Sequence, residues 1–216
     1  MAAPAQPRIA SRDERAWLGR ALLVMMAPRP VFAELRDDSD EAAQARQEAI
    51  TALVFLAGIA SVLWTPIAGR LLDQSGVDGL LVAVWAFIGG GAYGLIVYFA
   101  AGATLFAGLR AAGSLGSFRR ARHLLAFASA PIGLSLAVWP LRIAVYGGDV
   151  FRAGGSDTGI GNDLFGAVEL GFVLWALTLL AIGVRTVHGW AWPRALEGLS
   201  LTAGIAALVV VGARLL

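Results

Sequence analysis

From Leu164 to Val184 the only ionisable side chain is Glu169, and Phe172, Val173, Leu174, Trp175, Leu177, Leu179, Leu180 and Ile182 fill most of the rest. About 20 apolar residues rising about 1.5 Å each cover a hydrocarbon core of about 30 Å, so this run reads as a transmembrane helix. Arg185, His188 and Arg194 follow in a short turn flanked by Trp190 and Trp192. That mixture of arginine and tryptophan is typical of a cytoplasmic membrane interface. Pro193 suits the first turn of the next helix, whose apolar residues Leu196–Val211 return into lipid.

The remainder of the chain agrees with that environment. Hydrophobic residues make up 58% and charged residues 15% of 216, and the mean hydropathy is +0.72. These values lie outside the soluble range and suit one compact membrane bundle. There is no Cys, which excludes disulfides, thiolate metal sites and a Cys nucleophile. The pI is near 9.7, but the net charge is only +2. A nucleic-acid surface needs basic residues gathered in a patch, so nucleic acid is not an expected partner. All 17 basic residues are Arg, which with abundant Ala and Gly suggests a GC-rich, bacterial coding sequence.

Met1–Ala10 reads as a loose tail. The pattern predicts an amphipathic helix over 11–27, capped by Ser11 with Glu14, with Trp17, Leu18, Ala21, Leu22 and Met25 on one face in the headgroup plane. A signal peptide fits less well: Asp13 and Glu14 occupy the place of a positive leader segment, and the apolar run is short. Pro28 and Pro30 stop that helix and open a short one over 30–36 with Val31, Phe32 and Leu35 as its apolar edge. Asp38 with Glu41 is expected to cap a helix that runs straight into the first span. The expected organisation is a cytoplasmic or interfacial segment, 1–46, and a membrane domain, 47–216, with spans near 49–68, 79–105, 123–141, 164–185 and 194–214.

The uncharged stretch Gly79–Leu109 is about 46 Å long as a helix, so it has to tilt, protrude or break. Pro131 is expected to kink the third span by removing a hydrogen bond to the Phe127 carbonyl. Tyr146–Asn162 has the Gly-rich, polar composition of an exposed loop. Five spans with the N-terminus inside leave 13 of the 17 arginines on the inner side, which sets a cytoplasmic N-terminus and an outer C-terminus in a bacterial cytoplasmic membrane. Residues 1–48 carry eight acids against seven Arg. Anionic headgroups are therefore expected at the acid-free loop holding Arg110, Arg119, Arg120 and Arg122, with Arg185, His188 and Arg194 at the same interface.

Several spellings of chemical motifs dissolve in this context. Gly89-Gly90-Gly91-Ala92-Tyr93-Gly94 matches G-x-G-x-x-G, but no strand precedes it and Leu109 and Arg110 stand where a ribose-binding acid belongs. Gly90 and Gly94 instead have the spacing for close helix packing, within the chain or between copies in an oligomer. Asp157-Thr158-Gly159 spells an aspartic-protease tripeptide amid turn residues, and only a homodimer could supply the second carboxylate. Asp149, Asp157 and Asp163 lack calcium-loop spacing. His123 and His188 lack the carboxylate or Cys partners of a metal site, so neither metal nor cofactor is expected. Ser114, Ser117 and His123 share a loop without an orienting third group. Glu169 is the informative residue, about 7 Å inside span four, where an unpaired charge is costly. Arg142 lies at similar depth at the end of span three, and the two are expected to pair.

Three stretches carry a resemblance. Arg29-Pro30-Val31-Phe32-Ala33-Glu34-Leu35-Arg36, with Pro30, Phe32 and Leu35, resembles the motif ahead of the first span in the Yip-one (Ypt-interacting protein) domain family. Arg122-His123-Leu124-Leu125-Ala126-Phe127-Ala128-Ser129-Ala130-Pro131 resembles its third span. Gly183-Val184-Arg185-Thr186-Val187-His188-Gly189 with Arg194-Ala195-Leu196 resembles the turn between its last two spans. The resemblance runs from about Pro28 to the C-terminus. It implies a multispan membrane protein with a cytoplasmic N-terminal segment, and in the eukaryotic branch binding of prenylated Rab-type GTPases. The Asp-Leu-aromatic-Gly-Pro signature of that branch is missing ahead of the first span, and Asp163-Leu164-Phe165-Gly166 lies on the outer side without the Pro. Rab binding is not carried over, and the chain is similar to the bacterial members.

The expected fold is all-α: five transmembrane helices preceded by amphipathic N-terminal helices. The expected function is a non-enzymatic membrane scaffold or adaptor that engages a protein partner or lipid headgroups on the cytoplasmic side. The alternative is a small transporter or channel subunit with a polar path near Glu169 and Arg142.

Overall fold

The computed structural model describes residues 16–215. The helices in chain order are α1 (Ala16–Met26), α2 (Pro28–Ala33), α3 (Asp40–Leu63), α4 (Gly79–Ala111), α5 (Phe118–Ala128), α6 (Ala130–Leu134), α7 (Val138–Tyr146), α8 (Ile160–His188) and α9 (Trp192–Leu215). Five segments are long and apolar enough to cross a membrane: α3, α4, the composite α5–α7 continued to Phe151, α8 and α9. Each reaches further toward the Arg-rich end than the apolar composition implies, because helices do not stop where hydrocarbon stops. α4 is one unbroken helix of 33 residues, about 50 Å at the usual rise.

The centre of the bundle is the α3–α4 crossing. A Cβ on Gly58 would stand 2.7 Å from Gly94 Cα, and one on Gly90 would stand 2.5 Å from Ile59 Cα. Backbones approach this closely only where at least one of the two helices carries no side chain at the contact. Gly90 and Gly94 thus face α3 of the same chain, and that surface is not free for a second copy. α9 packs beside the other half of α4, where Gly108 admits Thr202. Along α9 only Ala195 and Gly198 are buried, while Leu208, Val209, Val210 and Val211 are exposed, as lipid-facing residues are.

The third span is interrupted. Ser129 (ψ −1°) separates α5 from α6, which opens with Pro131 in its first turn. A 3-10 turn over Ser135–Ala137 separates α6 from α7. The missing Pro131 amide relaxes into a break just before the proline. The stretch after α7 differs from the exposed loop expected there. Gly147–Phe151 forms a 3-10 turn with Val150 and Phe151 buried. Phe151 stacks on Trp139 with ring centres 5.7 Å apart, and both join a small second core with Ala68, Leu71 and Val82.

The N-terminal helices also sit differently from a layer spread on the headgroups. Val24, Val31, Phe32 and Leu35 belong to the same buried core as Leu53, Leu124, Phe127, Leu179 and Val184. α1 reaches well down the bundle, where Ala21 and Met25 line a cavity of about 260 Å³ with Leu53, Leu56, Ala130 and Gly133. Among its described side chains Val24 is the buried one, whereas Leu22, placed on the apolar face by periodicity, is half exposed. The Ser11 cap, Glu14 and the Trp17 and Leu18 side chains of the expected 11–27 helix lie outside the described residues.

Candidate functional site

Two polar assemblies occupy opposite ends of the bundle. At the Arg-rich end the connection before α3 is tied to the connection before α5. Arg119 Nε donates to Asp38 Oδ1 at 3.0 Å and Arg119 Nη1 to Asp40 Oδ1 at 2.5 Å. Arg119 Nη2 also donates to the Asp38 carbonyl, and the Ser117 hydroxyl donates to the Asp38 carboxylate. Asp38 is therefore not the cap of α3. Ser39 takes that role, its Oγ accepting from Ala42 N at 3.3 Å, and Asp38 turns away to α5.

Backbone carbonyls take most of the other arginines. Arg46, 4% exposed, donates to the carbonyls of Glu34 at 2.9 Å and Asp37 at 2.8 Å. These carbonyls close the turn after α2, so the buried cation satisfies acceptors that the helix end leaves open. Arg36 Nη2 donates to Thr186 O at 2.6 Å and Arg120 Nη2 to Arg36 O at 2.9 Å. Arg110 donates to Ser114 O at 3.3 Å. Arg194 donates to Ala112 O at 3.1 Å and stacks on Trp190. Arg185 lies over Trp192 at 4.9 Å. These guanidinium groups, expected from composition to face headgroups, are mostly held by the chain itself.

The loop between α4 and α5 is fixed a second time by His188. Its Nε2 lies 2.8 Å from Ser114 Oγ, which also accepts from Gly116 N at 3.0 Å. His188 Nδ1 lies 2.9 Å from Val184 O. A proton on Nδ1 satisfies that carbonyl and leaves Nε2 to accept from the serine. The arrangement has a backbone carbonyl where a catalytic dyad needs an orienting acid, and it joins the α4–α5 loop to the end of α8.

Charge in this assembly is held by geometry. Burial raises the Asp38 carboxyl, but the Ser117 hydroxyl and Arg119 outweigh it and hold the group below its ordinary value of 3.8. The Asp37 carboxyl is also lowered, chiefly by the Ser39 amide.

At the opposite end Arg142 of α7 gathers three partners. It lies 3.4 Å from Glu169 Oε1, 3.1 Å from Asp157 Oδ2 and 2.8 Å from Asn162 Oδ1. The three charged side chains are 13%, 18% and 17% exposed. The guanidinium also lies over Trp139 at 5.2 Å. Glu169 lies on α8, while Asp157 and Asn162, which the sequence did not mark as partners, come from the incoming loop and the first turn of α8.

The segment ahead of α3 contributes packing. Phe32 is fully buried against α8, where a Cβ on Gly183 would stand 2.9 Å from Phe32 Cε1. Leu35 is 1% exposed beside it, while Pro28, two residues before the expected start, opens α2 and Pro30 is exposed in its first turn. The three quoted stretches, ahead of α3, across α5–α6 and through the α8–α9 turn, thus meet in one core and one polar assembly.

Neither a curated protein nor a solved structure matches the chain. The Yip1 domain model matches residues 22–213, from within α1 through nearly all of α9. An all-α bundle with five membrane-spanning segments, its N-terminal motif packed into the turn before the last span, is consistent with that match over nearly the whole chain, and the chain belongs to the Yip1 domain family.

Proposed function

We propose that this Yip1 domain protein is a non-enzymatic membrane scaffold that presents its Arg-rich end to a protein partner in the cytoplasm. The N-terminus is inside and the C-terminus outside in this reading, in a bacterial cytoplasmic membrane, because 13 of 17 arginines then stay on the inner side. The connection ahead of α3 and the α4–α5 loop form the partner-facing platform, and the five spans anchor it.

The observation that carries this is Leu115. It is 92% exposed at the tip of the α4–α5 loop, between Ser114, fixed to His188, and Ser117, fixed to Asp38. An apolar side chain held outward on a loop pinned at both ends loses little entropy on docking into a partner's pocket. Polar groups at this end bond to each other and to backbone, which supports a rigid platform more than a reaction centre. The test is a photo-crosslinking residue at Leu115, with one at lipid-facing Leu208 as control. A discrete protein adduct at Leu115 only is expected; no adduct at Leu115, or the same one at Leu208, overturns the reading.

A small transporter or channel subunit is the second reading, favoured by the Arg142–Glu169 contact near the other end. Its test is solute or proton flux in reconstituted vesicles, lost on Glu169→Gln.

A further inference from the structure

Arg122 differs from Arg119 and Arg142 in having no carboxylate partner and no hydrogen bond among the described residues. Its guanidinium lies 4.5 Å from the Phe99 ring centre, 4.7 Å from that of Phe118 and 5.1 Å from that of Tyr98. Its stem is held in the notch of Gly102, where any Cβ would strike Arg122 Cγ. The side chain is thus pre-positioned with its donors unused, and Nε is buried without a partner.

Arg122 lines a recess of about 180 Å³ between α3, α4 and α5, together with Gln47, Thr51, Tyr98, Phe99 and His123. His123 is 3% exposed, and its Nδ1 is buried without a hydrogen bond. A guanidinium with no carboxylate partner leaves a desolvation cost in this recess that an anion would offset, and the neighbouring imidazole supplies a donor to it in one of its two tautomers. Arg119 also reaches the recess, but Asp38 and Asp40 already neutralise it. Gln47, Thr51 and Phe99 are exposed at its rim, so it opens sideways between α3 and α4.

The depth and the surroundings of that opening point to lipid. Gln47 lies about 10 Å along α3 from its start, just ahead of the span expected from residue 49, and Thr51 lies one turn further, just inside that span. From the rim, Phe99 (50% exposed), Leu95 (54%) and Ile88 (65%) form an apolar stripe along α4 toward the middle of the bundle. A headgroup phosphate in the recess would leave its acyl chains running along that stripe.

We infer that the recess between α3, α4 and α5 is a binding site for one anionic glycerophospholipid, with Arg122 holding the phosphate, Gln47 hydrogen-bonding the headgroup at the rim, and an acyl chain lying on Leu95 and Ile88. The site is separate from the platform tip at Leu115, so either proposal stands if the other fails.

Native mass spectrometry of the full chain, released from neutral detergent and titrated with phosphatidylglycerol or phosphatidylcholine, tests it. Wild type retains one phosphatidylglycerol in preference to phosphatidylcholine. Arg122→Gln weakens retention about tenfold or more, as loss of a charge-assisted contact implies, Arg122→Lys recovers part of it, and Arg110→Gln leaves it unchanged. Gln47→Leu, outside the ring cluster that seats Arg122, weakens retention even if Arg122→Gln does not fold. Equal retention of the two lipids, or retention unaffected by both Arg122→Gln and Gln47→Leu, overturns the proposal. Displacement by sn-glycerol 3-phosphate at matching concentration also overturns it, since the site would then take a free phosphate.

Discussion

The Phe32 ring fills the space that the missing side chain of Gly183 leaves on α8, within 3.1 Å of where a Cβ would stand at three of its ring carbons. This contact locks the segment ahead of the first span to the turn before the last. Truncating Phe32→Ala is expected to cost about 3 kcal/mol, the low end for a buried aromatic. Gly183→Leu, which overfills the same notch, is expected to cost at least as much. Thermal unfolding in detergent measures both, and melts unchanged from wild type would show that α2 does not dock there.

The Asp38 contact sets a pH dependence. Its folded carboxyl titrates below 3.8, so the unfolded chain binds the proton more readily. The stabilisation is fully present above the unfolded value and is lost as pH falls below about 4 through the lowered folded value. Melting temperature in detergent should therefore hold from pH 7 to 5 and fall toward pH 3. Asp38→Asn should flatten part of that fall. A fall of the same size in the variant would mean that Asp38 is not the titrating group.

Arg142 should matter more than either of its acids. Removing Glu169 leaves Asp157 and Asn162 as partners, whereas removing Arg142 leaves two carboxylates, each less than one-fifth exposed, facing one another. Arg142→Gln is expected to cost about 3 kcal/mol, and Glu169→Gln about 1 kcal/mol. Detergent melts give the order, and equal or absent effects for the pair would remove it as a structural link.

What the sequence made legible was whatever depends on one helix at a time. The spans, the end of α1 just before Pro28, and a break near Pro131 all follow from local hydropathy and backbone chemistry. What it left hidden depends on neighbours far along the chain. Asp38 lies 81 residues from Arg119, and a capping signature at Asp38 and Glu41 is indistinguishable locally from an acid reserved for another helix. The acidic run Asp37-Asp38-Ser39-Asp40 and the basic run Arg119-Arg120 do carry complementary charge, and that is the signal by which the link could have been found. Nothing local to Arg46 marks the Glu34 and Asp37 carbonyls that it satisfies. Periodicity put Leu22 on the apolar face of α1, yet Val24 is buried, since lipid and core reward the same residues and hydropathy cannot tell them apart.

Glycines divide by what they face. Gly58 and Gly94 allow α3 and α4 to touch, so Gly58→Leu or Gly94→Leu should leave little folded protein in detergent. On α8, Gly166 and Gly171 have open space where a Cβ would go. Gly166→Ala should be neutral or stabilising by about 0.5–1 kcal/mol, because it removes only unfolded-state freedom. Size-exclusion recovery and melts separate the two classes; a tolerated leucine at Gly94 would contradict the crossing.

The central claim, five spans with the Arg-rich platform inside the cell, is tested most directly by cysteine accessibility, since the chain has no Cys of its own. Leu115→Cys and Ser156→Cys, at exposed positions at the two ends, are treated in intact cells with a membrane-impermeant maleimide. The account predicts labelling of Ser156→Cys at once and of Leu115→Cys only after lysis. Labelling of both in intact cells, or of Leu115→Cys alone, would contradict it.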